Sequence, residues 1–330
     1  MNILVTGGLG FIGSHTVVEL INQKHQVVIV DNLVNSKLDV LSKLEKIVHK
    51  RISFYKIDVT DEDKLEKVFS KYKFDGVIHF AGLKSVGESI ENPLEYYMNN
   101  LISTMVVSKL VLKYNIDKFV FSSSATVYGN QISPMHEHTE LKVTTNPYGE
   151  TKAMAERMLH DISKSYRALS VSILRYFNPV GAHESGMIGE NPNGVPNNLM
   201  PFVSKVAKGE LPHLNIFGDD YDTLDGTGVR DYIHVVDLAK GHVAAVEHAK
   251  PGVHIYNLGS GKGTSVLEIV ETFKKVNNVD VPFKVVPRRS GDIASCFADV
   301  SKAKKDLGWE TKLNIEDMCR DMWNFELNNQ

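Results

Sequence analysis

Asn2-Ile3-Leu4-Val5-Thr6-Gly7-Gly8-Leu9-Gly10-Phe11-Ile12-Gly13 decides the fold class. A short, unbroken apolar run of the kind buried on both faces of a sheet passes straight into glycines, and a helical pattern, Ile12–Asn22, follows. Gly7, Gly10 and Gly13 are spaced G-x-x-G-x-x-G, a variant of the commoner G-x-G-x-x-G. One glycine permits the tight turn, one lets backbone approach a pyrophosphate, and one lets helix and sheet pack closely. The helix amino terminus then offers free N–H groups and the positive end of its dipole to phosphates. Asp31 stands 18 residues beyond Gly13, at the end of the second expected strand. There it can accept hydrogen bonds from ribose hydroxyls, and its charge repels a 2′-phosphate, which favours NAD over NADP.

Working outward, strands are expected at Gln26–Val30, Ile52–Ile57, Gly76–Phe80, Lys118–Ser122 and Leu169–Arg175. Helical stretches lie between them at Asp61–Tyr72, Pro93–Tyr114 and Pro147–Tyr166. This alternation predicts right-handed βαβ units in an α/β, Rossmann-type doubly wound parallel sheet. Ligands in such sheets sit at strand carboxyl ends, so Asp58-Val59 is expected near an adenine and Phe80-Ala81-Gly82 near a nicotinamide. From about Gly181 the pattern loosens into loops, Gly189–Asn198 and Gly218–Gly228. The expected organisation is a dinucleotide domain over residues 1–180, with a returning segment near 231–259 that contains the strand His254–Leu258. A smaller α+β substrate lobe takes most of 181–330, with interleaved boundaries. Gly259-Ser260-Gly261-Lys262-Gly263-Thr264 fails as a phosphate loop, because Tyr256 and Gly263 stand where a glycine and a Ser or Thr are needed. It reads as a loop entering a helix at Ser265.

Composition narrows the class. With 37 Lys plus Arg against 40 Asp plus Glu, the chain is no basic clamp, and no nucleic-acid partner is expected. Cys296 and Cys319, the only cysteines, are too few for a disulfide framework or a cysteine-based zinc site. No apolar run approaches the ~18 residues of a membrane span, and the first residues lack a basic secretory n-region. The expectation is a cytoplasmic enzyme with no membrane partner. His136 and His138 lack a third ligand at suitable spacing and read as a solvated loop, so no metal is expected.

Tyr148 and Lys152, one helical turn apart after Asn146-Pro147, share a helix face. A phenol of pKa ~10 becomes a base near neutral pH when an ammonium and a cationic nicotinamide stand beside it, a change of about three units or roughly 4 kcal/mol. Tyr114 and Lys118 have the same spacing but read as structural. Ser122-Ser123-Ser124, at the carboxyl end of the fifth strand, distinguishes the first pair by bringing a hydroxyl to the same crevice.

Gly7–Gly13, Ser122–Gly129 and Tyr148-x-x-x-Lys152 resemble the extended short-chain dehydrogenase/reductase superfamily. Within it, Asp31-Asn32-Leu33, His79–Lys84, Leu174–Gly181, Pro196–Pro201 and Gly226–His234 closely resemble the UDP-galactose 4-epimerases, over essentially the whole chain. The resemblance implies NAD-dependent epimerisation at C4 of UDP-hexoses through transient oxidation, with Tyr148, Lys152 and Ser124 catalytic. It implies that Gly7, Gly10, Phe11, Ile12 and Gly13 hold the cofactor's phosphates, and that Asp31, Asn32, Asp58 and Val59 hold its adenosine. Phe80, Ala81, Gly82, Lys84, Asn99 and Phe177, with Tyr148 and Lys152, would hold the rest. The UDP-sugar would contact Ser124 and Tyr148, then Asn178, Asn198, Leu199 and Phe217, and lastly Arg230, Arg289, Asp292 and Cys296. Arginines suit a diphosphate through forked, charge-assisted bonds.

Leu94, Met98, Leu101 and Met105 recur at near-helical spacing. Core packing is the default reading, although the resemblance implies that this helix joins a homodimer. Nucleotide-sugar dehydratases carry Asp-Glu directly after the position of Ser124, where this chain has Ala125-Thr126, so elimination of water is disfavoured. A non-catalytic NAD sensor of the same fold is the other alternative, and the retained Tyr148/Lys152 pair argues against it. Narrow epimerases carry tyrosine at the position of Cys296. The smaller side chain is expected to admit a 2-acetamido group, and with it UDP-N-acetylglucosamine and UDP-N-acetylgalactosamine, unless Phe297 closes the gap.

Overall fold

Alternation of buried apolar side chains builds a sheet with two covered faces. The computed structural model describes residues 1–191, 198–289 and 292–329. Its main sheet comprises β1 (Asn2–Thr6), β2 (Gln26–Asp31), β3 (Ser53–Lys56), β4 (Gly76–His79), β5 (Lys118–Ser124), β6 (Ser170–Tyr176) and β7 (Gly252–Leu258), in the order β7-β6-β5-β4-β1-β2-β3. Every pairing in it is parallel. Ile3, Val5, Ile29, Ile78 and Val120 meet Val17, Val18, Leu238 and Val246 of the helices Phe11–Asn22 and Val235–Glu247. Their alternates Leu4, Val28, Val77, Phe119 and Phe121 meet Leu65, Val107, Leu110 and Leu159 of the helices Glu62–Lys71, Pro93–Lys113 and Pro147–Ser165. Side chains on a strand point alternately to opposite faces, so each strand feeds both cores.

β1 lies between β2 and β4, and Thr6 at its end is in register with both Val30 and His79. The chain therefore winds away from β1 in both directions, which opens a crevice beyond the strand ends. β2 runs one residue further than expected, ending on Asp31, and β5 two further, ending on Ser124. Both extensions carry a side chain to the crevice. β3, the edge strand, is shorter at both ends than the expected Ile52–Ile57. β7 returns to pair with β6 from Gly252 to Leu258.

A third core lies outside the sheet, where Met200, Val203, Ile216, Ile269, Phe273, Met318 and Met322 pack together. Short pairings between Asn178–Val180 and Tyr232–His234, and between Ser295–Cys296 and Val229–Arg230, bring this region over the crevice. The expected loop entering a helix at Ser265 is present, with a capping box between Ser265 and Glu268 opening the helix Val266–Asn277. The glycine string before it cradles an internal anion instead of a phosphate. Ser260 N–H (2.7 Å) and Gly261 N–H (3.1 Å) both donate to the buried Asp231 carboxylate, and Ala298 N–H joins them at 3.1 Å. Core packing does not hold for part of the long helix: Leu94, Met98 and Met105 are 70%, 55% and 46% exposed. Its buried face is made instead by Tyr96, Asn100, Ser103, Thr104 and Val107.

Candidate active site

At the glycine turn, Gly7 has φ +68°, and a Cβ there would stand 2.8 Å from Ala81 N. A Cβ on Gly13 would stand 2.3 Å from Gly7 O. Any side chain at these two positions would fill or distort the cradle, as expected of a turn that brings backbone against a pyrophosphate. At the next strand end, Asp31 is 6% exposed. It accepts from Leu9 N–H (3.0 Å), Leu33 N–H (2.9 Å) and the Ser36 hydroxyl (2.8 Å). A carboxylate offers about four acceptor sites, so one remains for a ribose hydroxyl. Asn32 Nδ2 donates to Asp58 Oδ2 at 2.9 Å, which ties together the chain beyond the ends of β2 and β3.

The helix Pro147–Ser165 starts where Asn146 accepts from Gly149 N–H (2.8 Å) and Pro147 takes the first helical position. Tyr148 and Lys152 then face β5 from the first and second turns. Lys152 Nζ donates to the Ser122 carbonyl oxygen at 2.7 Å, and burial pushes its ammonium down to about 8. Burial pushes the Tyr148 phenol up, with only the Ser124 hydroxyl opposing. The lowering of Tyr148 expected from Lys152 is therefore not supplied by the chain's own groups. The amine is engaged with Ser122 and stands 5.9 Å from the phenol ring centroid. Ser124 caps a short 3₁₀ turn, Ala125–Tyr128, and accepts from the Thr126 hydroxyl at 3.0 Å.

A cavity of about 580 Å³ joins these parts. It is lined by Gly7, Gly10, Phe11, Ile12, Gly13, Asp31, Asn32, Asp58 and Val59 at one end, and by Phe80, Ala81, Gly82, Lys84 and Asn99 along the middle. Ser124, Tyr148, Lys152, Phe177, Asn178, Asn198, Arg230, Asp292 and Cys296 line the other end. Three expected residues stand outside its wall: Leu199, Phe217 and Arg289. Leu199 opens the helix Leu199–Ala207, which packs into the third core. The Arg289 guanidinium lies 4.7 Å from the Phe217 ring centroid, and its Nε donates to Asp292 at 3.0 Å, so the pair borders the cavity through Asp292. Pro196 and Asn197, of the stretch Pro196–Pro201, lie outside the described residues, as do Ser290 and Gly291 between Arg289 and Asp292.

Arg230 is held by its own neighbours: Nη1 donates to Val229 O (2.9 Å) and Ile293 O (2.8 Å), with Asp292 3.6 Å from Nη2. Cys296 is half-buried and in register with Arg230. A Cβ on Gly263 would meet Phe297 Cδ1 at 3.3 Å, so the Phe297 ring lies beside Gly263, and Phe297 does not line the cavity. His136 is 41% exposed and stacks on His138 with ring centroids 5.3 Å apart, away from this cavity.

Two features escaped the sequence reading. Glu190, 6% exposed, accepts from both Lys84 (3.1 Å) and Asn198 (2.7 Å), joining a residue expected on the cofactor to one expected on the substrate. Tyr176, beside Tyr148, hydrogen-bonds the Ser122 hydroxyl, and burial pushes its phenol up. Its position one residue before Phe177-Asn178, at a strand end, was the available signal.

Over residues 4–322 the chain matches the model of the family described as GDP-mannose 4,6 dehydratase. Position 125 is nevertheless alanine and position 126 threonine, so neither supplies a carboxylate. A curated UDP-glucose 4-epimerase of Haemophilus influenzae is 54% identical, with 100% of this chain and 98% of that protein covered. The solved UDP-glucose 4-epimerase from Bifidobacterium longum, in complex with NAD+ and UDP, is 52% identical with a TM-score of 0.96, over 100% of this chain and 99% of the other. The enzyme from Stenotrophomonas maltophila, with bound NAD and formylated UDP-arabinopyranose, is 46% identical with a TM-score of 0.97, over 99% and 98%. The chain belongs to the UDP-glucose 4-epimerase family.

Proposed function

We propose that this chain interconverts UDP-galactose and UDP-glucose as an NAD-dependent isomerase, and that its Cys296 pocket also takes the N-acetylated pair. One observation carries the reading: the glycine turn with Asp31, the Ser124/Tyr148/Lys152 group and the Arg230/Asp292/Cys296 wall share one cavity. That cavity can hold a dinucleotide along the strand ends with a nucleotide sugar beside it. The glycine turn and Asp31 would hold NAD, which would supply a reversible hydride acceptor beside sugar C4, able to return the hydride to the opposite face once the sugar has turned over.

The protein's part is to bind, orient and move a proton. Tyr148 holds the proton of the sugar's 4-oxygen, and the Ser124 hydroxyl bridges that oxygen to the phenol. Because burial keeps Tyr148 a neutral phenol, its deprotonation draws on positive charge brought close to it. Lys152, anchored on Ser122 O, binds the ribose beside it. Arg230 meets the diphosphate from the cavity wall, Arg289 adds its charge from behind Asp292, and Asn178 and Asn198 hold the remaining polar groups. The sugar stays loosely held, so that it can turn over between the two transfers. Opposite it, Cys296 leaves room for a 2-acetamido group, with the Phe297 ring turned to Gly263.

The exposed Leu94, Met98 and Met105 stripe is the surface through which we expect two copies to pair. Among the described residues no helix is long and apolar enough to cross a membrane, and we assign the enzyme to the cytoplasm. The test is to incubate purified protein with UDP-galactose and no added NAD. UDP-glucose should form, and acid extraction should recover close to one NAD per subunit. Recovery mainly of NADP would contradict the role given to Asp31, and no UDP-glucose would overturn the reading.

A further inference from the structure

A second polar cluster lies directly behind Tyr148 and Lys152. Glu156 follows Lys152 by one turn and Tyr148 by two, on the same helix face. It is 5% exposed and paired with Arg175, itself 3% exposed: Nη2 donates to Oε2 at 2.6 Å and Nε to Oε1 at 3.0 Å. The Ser123 hydroxyl also donates to Glu156 Oε1. Arg175 stands opposite Ser123 in the β5–β6 register, donates to Glu137 O at 3.3 Å and lies 4.8 Å from the Tyr128 ring centroid.

A buried ion pair adds little stability over a well-packed apolar replacement, so stability is a weak reason for this one. Its location supplies a better reason. Ser123 sits between Ser122, whose carbonyl oxygen holds Lys152, and Ser124, whose hydroxyl faces Tyr148. Tying Ser123 to the helix therefore sets both neighbours against Tyr148 and Lys152 at once.

We propose that Glu156 is a positioning residue for the reaction, clamping the Ser122-Ser123-Ser124 strand end onto the helix face that carries Tyr148 and Lys152. The proposal rests on those two residues being the acid–base pair. Glu156 also has an electrostatic consequence for Lys152. That amine is faced by Tyr148 and Glu156 on its own helix, His79 on β4, and Phe121 and Ser122 on β5, while Tyr176 on β6 hydrogen-bonds the Ser122 hydroxyl. Burial leaves His79 and both phenols neutral near pH 7, and Arg175 is spent on Glu156. Glu156 is the anion that opposes loss of the Lys152 proton.

The experiment is the pH dependence of kcat and KM for UDP-galactose in Glu156→Gln, with NAD content and circular dichroism recorded beside it. Activity that needs charged Lys152 falls as pH rises through that group's pKa, which gives an alkaline limb. Glu156→Gln should lower kcat about tenfold or more with KM little changed, and move that limb down by about one pH unit. If this variant does not fold, Glu156→Gln/Arg175→Met leaves no unpaired buried ion and should shift the limb in the same direction. A folded variant holding wild-type NAD, with its alkaline limb at the wild-type pH, overturns the proposal even if kcat falls. Near-normal turnover by Tyr148→Phe would instead sink the acid–base pair itself, so the two failures are distinguishable.

Discussion

Gly13→Ala tests the glycine cradle quantitatively. The added methyl would stand 3.0 Å from Gly8 Cα and 2.3 Å from Gly7 O, the latter more than 1 Å inside the roughly 3.5 Å of an ordinary non-bonded contact. Both neighbours are backbone, so relief means moving the turn away from the helix that follows it. Overpacking of this kind costs about 1–3 kcal/mol. With about 2.1 cal/mol/K of unfolding entropy per residue, that lowers Tm by about 1–4 °C in a chain of this length. If the displaced turn loses the same free energy in holding the dinucleotide, Kd for NAD rises about 5- to 150-fold. The assay pairs a thermal melt with acid-extracted NAD per subunit. Gly10→Ala is the contrast, because its methyl meets only Gly7 O at 3.3 Å. It should keep the wild-type circular dichroism spectrum while still losing NAD, since the methyl intrudes where backbone approaches the pyrophosphate. Gly13→Ala protein with the wild-type Tm and a full complement of NAD would refute the reasoning.

Cys296→Tyr should suppress turnover of UDP-N-acetylgalactosamine selectively and spare UDP-galactose; equal loss of both, or a wild type inactive on the N-acetylated sugar, would end the size argument. Leu94→Glu/Met98→Glu places two charges on side chains 70% and 55% exposed, so the subunit fold should persist. Sedimentation should then report a monomer for the variant and the proposed dimer for the wild type, and an unchanged dimer would assign the interface elsewhere. Lys152→Met should lower bound NAD and turnover together, because the amine anchored on Ser122 O no longer holds the ribose; wild-type NAD content and turnover would remove Lys152 from that role.

The sheet was legible because its central strands, such as β1, β4 and β5, are buried on both faces, which leaves short apolar runs between turn residues. The crevice followed from the same stretches, since the glycine turn, Asp31 and Ser124 all sit at strand ends. What stayed hidden is long-range polar pairing. Glu190 meets Lys84 across 106 residues, and Tyr128 meets Asn257 across 129 at 2.7 Å. Neither pairing leaves a periodic trace. The Glu156–Arg175 pair was equally hidden, because such residues are almost never fully buried unless paired, and a pairing between a helix and a strand cannot be seen in one sequence. The long helix misled for a related reason: its buried face uses small polar residues such as Ser103 and Thr104, so the methionine and leucine stripe looked like the core side.

The most direct test of the account is Tyr148→Phe, assayed for conversion of UDP-galactose together with bound NAD. Removing one hydroxyl from a side chain 9% exposed should leave the fold and close to one NAD per subunit, while turnover falls by roughly 10²–10⁴. Near-normal turnover in a variant that still holds its NAD would contradict the assignment of Tyr148 as the group that moves the proton.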